Sequence, residues 1–130
     1  MIGSTGPKML RLAAQHADLW NAWFAWFGNT PEGTEPLRQK VDAACAEAGR
    51  DPATLGRTLA VLVRVGEGDP DPRSGRRFET PAPVRGSAPE VAEALRAFAS
   101  TGISHVQLVL DPITIESIER LGPALQALDS

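Results

Sequence analysis

The first turn of the chain is Gly3-Ser4-Thr5-Gly6-Pro7-Lys8, a run of small residues that an amphipathic segment follows at once. Apolar residues then recur at helical spacing, which predicts a helix over residues 7–18. Proline suits the first helical position, because the amide hydrogen that it lacks would have no partner there. The apolar residues of this segment are Met9, Leu10, Ala13, Ala14 and Ala17.

This turn has the chemistry of an anion site. Its glycines permit positive φ and let a ligand approach the backbone closely. Free N–H groups and a partial positive charge collect at the helix start, beside the hydroxyls of Ser4 and Thr5. Lys8 opposes the helix dipole, a cost that an adjacent anion explains. The pattern favours a phosphate, although a plain helix-capping turn with a solvated lysine fits the same six residues.

Composition restricts the class of protein. A chain of 130 residues with net charge −3 predicts one globular domain without the basic face that nucleic acid requires. Cys45 is the only cysteine, so no intramolecular disulfide can form, and its place on an apolar helical stripe indicates a packed thiol. We find no apolar signal core and no run of membrane-spanning length, and expect a cytoplasmic protein that does not bind membranes.

The remaining segments alternate between strands and helices. Strands are predicted at residues 19–27, which hold all three tryptophans, at residues 58–65 and at His105–Leu110. Helices are predicted at residues 35–48, after a capping box at Ser87, and from Pro112 or Ile113 onward. This order predicts a parallel α/β fold.

Right-handed crossovers would place every strand-to-helix connection at one rim, where α/β folds bind ligands. That rim would join the opening turn to the tryptophan segment, the Asp111-Pro112 turn and residues 66–86. The last of these segments is rich in glycine, proline and charge, and is predicted to be a long flexible loop or lid.

Four segments resemble the luciferase-like monooxygenase family of flavin- or deazaflavin-dependent oxidoreductases. They read IGSTGPKMLRLAA at residues 2–14, ADLWN at 17–21, AGRDP at 48–52 and GISHVQL at 102–108. The resemblance implies a TIM-type (β/α)8 barrel, of which this chain matches the C-terminal half only, since a full barrel takes about 250 residues. It also implies an oxidoreductase or monooxygenase activity for the complete protein.

The resemblance also assigns residues. The turn that includes Gly3, Ser4, Thr5, Gly6 and Lys8 corresponds to the family's coenzyme phosphate site, and the coenzyme would be FMN or a deazaflavin.

Two further residues, Trp20 and Asn21, correspond to residues near the coenzyme and substrate pocket. The alternative interpretation is a packed aromatic ring and a turn-capping amide. The arginines of residues 66–86, Arg73, Arg76 and Arg77, could meet an acidic substrate or the acidic tail of a deazaflavin coenzyme, although solvated loop charges explain them as well.

The sequence identifies no catalytic residue and no metal site, because His16, His105 and Cys45 lie on separate predicted elements without ligand spacing. We therefore keep three hypotheses: part of a luciferase-like oxidoreductase, a non-catalytic module that binds a flavin or another phosphorylated ligand, and an inactive truncated remnant. The small-molecule coenzyme and substrate are the expected ligands. A homodimer formed through the open sheet edge or face is expected, with Trp20, alternate residues of 59–65, and Val106 or Leu108 on the open face.

Overall fold

A computed structural model of the protein describes residues 1–65, 82–111 and 113–129. The strands are β1 (Ile2–Gly3), β2 (Leu19–Trp23), β3 (Gly56–Val65), β4 (Val84–Gly86) and β5 (His105–Leu110). The helices are α1 (Pro7–His16), α2 (Thr34–Glu47), α3 (Ala88–Ala99) and α4 (Ile115–Asp129), with short 3-10 turns at Phe24–Trp26 and Pro52–Thr54.

The sheet is parallel throughout, as the alternation of elements predicts. Strand β1 pairs with β2 and β2 pairs with β3, while β5 lines the other side of β3. Strand β4 pairs with the last three residues of β3, beyond the end of β2. The carboxyl ends of the strands therefore share one rim, which includes the turn after Gly3 and the residue Asp111 after β5.

The helices cover one face of the sheet. Val106 and Leu108 of β5 line a cavity whose other walls are α3 and α4, and strand register places Trp20, Leu59 and Val61 on the same side. All three are buried. The expected open-face residues are thus on the covered face, because the strand parity is the reverse of the one predicted.

The opposite face is more polar than expected. Register places Asn21, Thr58 and Gln107 on this face, which we call the open face. Its exposed apolar side chains include Leu19 and Trp23, which are 38% and 37% exposed.

Three predicted boundaries shift for local reasons. Helix α1 ends at His16, not at residue 18, because Ala17 is already extended and the Asp18 carbonyl accepts from Gly56 N at 2.9 Å. The tryptophan segment is a strand only to Trp23. Helix α4 begins at Ile115, where the Thr114 hydroxyl accepts from Ser117 N at 3.1 Å and caps the first turn.

The long connection is shorter than predicted. Residues 66–81 lie outside the described part of the chain, but Val84–Gly86 forms β4, so the loop prediction for residues 66–86 is wrong at its end. The capping box at Ser87 is confirmed, since its hydroxyl accepts from Glu90 N and the Glu90 carboxylate accepts from Ser87 N. In the described ranges, no helix is long and apolar enough to cross a membrane.

A side-chain amide fills the gap between β2 and β4. Asn29 donates from Nδ2 to the carbonyls of Leu62 and Ala82, at 2.9 and 3.0 Å, and its Oδ1 accepts from Leu62 N at 2.9 Å. The residue is 4% exposed and has φ of 55°, next to Gly28 with φ of 64°. Asn29 thus satisfies the backbone of Leu62 on the side of β3 where neither β2 nor β4 reaches it.

Candidate coenzyme site

The turn after β1 is held from two sides. The indole Nε1 of Trp20 donates to the Ser4 carbonyl at 2.8 Å, and the Ser4 hydroxyl accepts from Gly6 N at 3.2 Å. Gly6 is the residue that precedes α1, and Pro7 takes the first helical position as predicted. These contacts fix the path of the turn into the helix.

The glycines of the turn serve close approach and not unusual backbone angles. Neither Gly3 nor Gly6 has positive φ, contrary to the freedom expected of them. A Cβ on Gly3 would lie 3.3 Å from the Asn21 carbonyl oxygen, so a side chain there would crowd β2. A Cβ on Gly6 would meet only the Ser4 hydroxyl, at 3.8 Å, which leaves the approach to α1 open.

Donors collect at the start of α1. The first intrahelical bond runs from Leu10 N to Gly6 O at 2.9 Å, so the amides of Lys8 and Met9 precede it and find no acceptor among the described residues. Ser4 and Thr5 are half-buried, and Lys8 is exposed. The arrangement combines unpaired N–H groups, hydroxyls and the positive end of a helix dipole.

Trp20 lies in a different place from the one expected. Its side chain is 1% exposed and belongs to the covered face, with its single donor used on Ser4. Trp20 therefore orients the turn from beneath, as the packed-aromatic interpretation expects, and its contact with the substrate pocket stays a prediction.

Asn21 is on the open face. Its Oδ1 accepts from the Thr58 hydroxyl at 2.7 Å, and Thr58 also lies 3.0 Å from the Trp20 carbonyl. Met1 lies against this pair, with its sulfur 3.5 Å from the Thr58 hydroxyl and 3.9 Å from Gln107 Nε2. Gln107 Oε1 is buried and has no partner in the described part of the chain. A contact of Asn21 with substrate stays a prediction.

An ion pair at the carboxyl rim has no counterpart in the sequence prediction. Arg64 Nη2 lies 2.5 Å from Asp111 Oδ2, and the side chains are 12% and 3% exposed. The Asp111 amide also donates to the Val63 carbonyl at 3.1 Å, which extends β5 by one residue. Only the apolar surroundings of Arg64 in the sequence could have indicated a buried partner.

A second missed residue explains one of the resembling segments. Arg50 donates to the carbonyls of Ala14 and Ala17, at 3.2 and 2.6 Å, and to both oxygens of Thr54 at 2.9 Å. A guanidinium at the carboxyl end of α1 satisfies unpaired carbonyls and complements the helix dipole. Arg50 therefore fixes the far end of the helix that begins at the candidate site.

The remaining titratable candidates have structural surroundings. Cys45 is buried and burial raises the pKa of its thiol, as expected of a packed cysteine. In residues 1–65, 82–111 and 113–129, no three His, Cys, Asp or Glu side chains are grouped as metal ligands.

The turn is compatible with a phosphate group. An oxyanion needs several convergent donors and room at the backbone, and the start of α1 offers both next to the open side of Gly6. The described residues provide no acidic group in the first turn of α1 to repel it.

These features define a parallel α/β domain with a candidate anion site at its carboxyl rim. The profile of the family described as luciferase-like monooxygenase matches residues 1–77. The chain belongs to this family, which confirms the resemblance. A comparison with curated proteins gave no significant match.

Solved structures show the same fold in larger proteins. An F420-dependent secondary alcohol dehydrogenase, solved with an F420-acetone adduct, is 18% identical with a TM-score of 0.68, and the match covers 97% of this chain and 47% of that one. The F420-dependent tetrahydromethanopterin reductase of Methanopyrus kandleri gives 16% identity, a TM-score of 0.68, and coverage of 98% and 49%. DmoA from Hyphomicrobium sulfonivorans is 12% identical with a TM-score of 0.62, and the match covers 90% of this chain and 38% of that one.

The chain thus spans about half the length of these TIM-barrel structures or less. The α/β half-barrel prediction is confirmed.

Proposed function

We propose that this chain forms the part of a luciferase-like oxidoreductase or monooxygenase that holds the coenzyme phosphate. The observation that carries the proposal is the donor cluster at the start of α1, where the amides of Lys8 and Met9 precede the first helical bond. Family membership supports a flavin or deazaflavin as the phosphate-bearing molecule. Two of the similar structures are named as F420-dependent, which supports the deazaflavin without excluding FMN.

The residues of the turn have distinct roles in this proposal. The hydroxyl of Thr5 and the two free amides donate to phosphate oxygens, while Lys8 adds positive charge at the entrance. Gly3 and Gly6 allow close approach, and Trp20 fixes the Ser4 carbonyl so that the turn stays preorganised. When bound, the coenzyme supplies the redox chemistry, and the protein supplies position and electrostatics.

Asn21 and the open face would form one wall of the ring and substrate pocket. The Asn21–Thr58 hydrogen bond holds the amide in a fixed orientation toward that pocket. Since similar structures are about twice as long, other walls must come from another copy or from further sequence. We propose a second copy of the chain.

The first test compares ligands that differ only in the phosphate. FMN should bind at least about tenfold more tightly than riboflavin, because each charge-assisted hydrogen bond contributes on the order of 1.5–3 kcal/mol. A deazaflavin coenzyme should likewise bind more tightly than its chromophore without the phosphate. Fluorescence titration measures both pairs, and equal affinities within a pair would falsify the phosphate assignment.

The half-length match favours one alternative, a module that binds a phosphorylated ligand without catalysis. In that case inorganic phosphate would displace FMN. The coenzyme bound to this chain would not be reduced by reductants that reduce the coenzyme bound to a related enzyme. A chain that bound neither flavin nor phosphate would instead match the inactive remnant.

A further inference from the structure

A cleft of about 400 Å³ lies at the amino ends of β3 and β5, at the opposite end of the sheet from the coenzyme turn. Helix α2, the Pro52–Thr54 turn and the connection from α3 to β5 form its walls. We call it the amino-end cleft. Its polar lining includes Arg38, Asp42, Arg57, Thr101 and Ser104.

Arg57 is a fixed part of this wall. Its side chain is 12% exposed and pairs with Asp42, and it also donates to the carbonyls of Arg38 and Pro52 at 3.4 and 3.5 Å. These partners satisfy both terminal nitrogens. Arg57 therefore adds positive charge to the cleft without being free to move.

Arg38 is different, because its guanidinium has no partner within residues 1–65, 82–111 and 113–129. The residue is half-buried, its Nε is buried and unpaired, and none of its side-chain nitrogens bonds to any described residue. Glu32 and Glu35 line a neighbouring cleft that Arg38 also borders, yet no carboxylate in the described ranges comes within 4.0 Å of it. A buried guanidinium N–H without an acceptor is costly, and an anion that accepts from Nε would remove that cost.

We propose that the amino-end cleft binds a small molecule carrying a phosphate or carboxylate group, with Arg38 as its principal donor. Arg38, Arg57 and Asp42 together give the lining a net charge of +1 (two positive, one negative). The planar fork of Arg38 suits two oxygens of one oxyanion. The volume falls within the range of about 300–1,000 Å³ typical of small-molecule sites.

The test follows backbone amide shifts by NMR during titration with inorganic phosphate or succinate, against chloride at equal ionic strength. In the unaltered protein the amides of Gly102 and Ser104 should shift and saturate. Arg38→Gln should weaken that effect at least about tenfold, and Arg38→Lys should give an intermediate result, since it keeps the charge but loses the fork. Lys40→Gln, an exposed neutralisation on the same helix, should change nothing.

Phosphate should also shift the amides near Gly6 if the coenzyme turn is an anion site, and Arg38→Gln should leave those shifts intact. The two sites can therefore fail separately. The cleft proposal is overturned if Gly102 and Ser104 do not respond, or if they respond equally in Arg38→Gln. A lower melting temperature in both Arg38 variants with no anion response would show that the role of Arg38 is structural only.

Discussion

Replacing Asn29 with glycine is expected to lower the free energy of unfolding by about 2–5 kcal/mol, since each buried backbone group left unpaired costs about 1–3 kcal/mol. The amide holds the N–H and C=O of Leu62, which are buried, and the carbonyl of Ala82, which is part-buried. Glycine accepts the φ of 55° without strain, so the lost hydrogen bonds are the main contribution to the effect. Urea unfolding followed by tryptophan fluorescence measures the effect.

Two further variants serve as controls. Gly28→Ala adds only backbone strain at φ of 64°, with no atom within 4 Å of the new Cβ, and should cost about 1–2 kcal/mol. Asn29→Asp keeps the shape but places a carboxylate against two carbonyls, and should be at least as destabilising as glycine. A loss below about 1 kcal/mol for Asn29→Gly would mean that water replaces the amide, and that the gap between β2 and β4 is not sealed.

Two copies of the chain are expected to form a dimer. We expect light scattering at micromolar concentration to give twice the 13.8 kDa of one chain. Helix α4 leaves three large apolar side chains partly exposed: Ile115, Ile118 and Leu125 are 75%, 59% and 43% exposed. Met9 and Leu12 of α1 are 40% and 44% exposed. Burying such side chains contributes about 1.5–3 kcal/mol each.

We expect the two copies to complete one barrel between them, related by a two-fold axis that runs along it. This axis would bring α4 of each copy against α1 of the other, so each contact would occur twice. Ile118→Glu should therefore weaken the dimer by on the order of a hundredfold or more, through loss of about 1.5–3 kcal/mol at two contacts. Arg120→Gln makes the same change in net charge at another exposed position of the same helix, and should leave the dimer intact. A folded monomer before any substitution would contradict the assembly.

The sequence predicted the fold because its periodicities are local. The apolar stripes of α1 and α3, the capping box at Ser87 and the apolar run of β3 each depend on neighbours within a few residues. The strand Val84–Gly86 was missed, since three residues after a segment rich in glycine and proline show no alternation that could be detected.

The candidate site was predicted only in part, because its remaining contacts join distant residues. The bond from Trp20 to Ser4 spans 16 positions, and the pair of Arg64 with Asp111 spans 47. Which face Trp20 occupies depends on strand register, and a shift of one residue reverses it. Asn29 resembles an ordinary turn residue, and its role is evident only from the backbone of Leu62.

Titration of FMN and riboflavin against the unaltered protein and Thr5→Asp shows whether the turn after β1 holds a coenzyme phosphate. Aspartate is similar in volume to threonine and is favourable near a helix start, so the fold should be retained while a second anion is repelled. We predict that the advantage of FMN over riboflavin, about tenfold or more in the unaltered protein, disappears in Thr5→Asp while riboflavin binds as before. An FMN advantage that persists undiminished in Thr5→Asp would contradict the account.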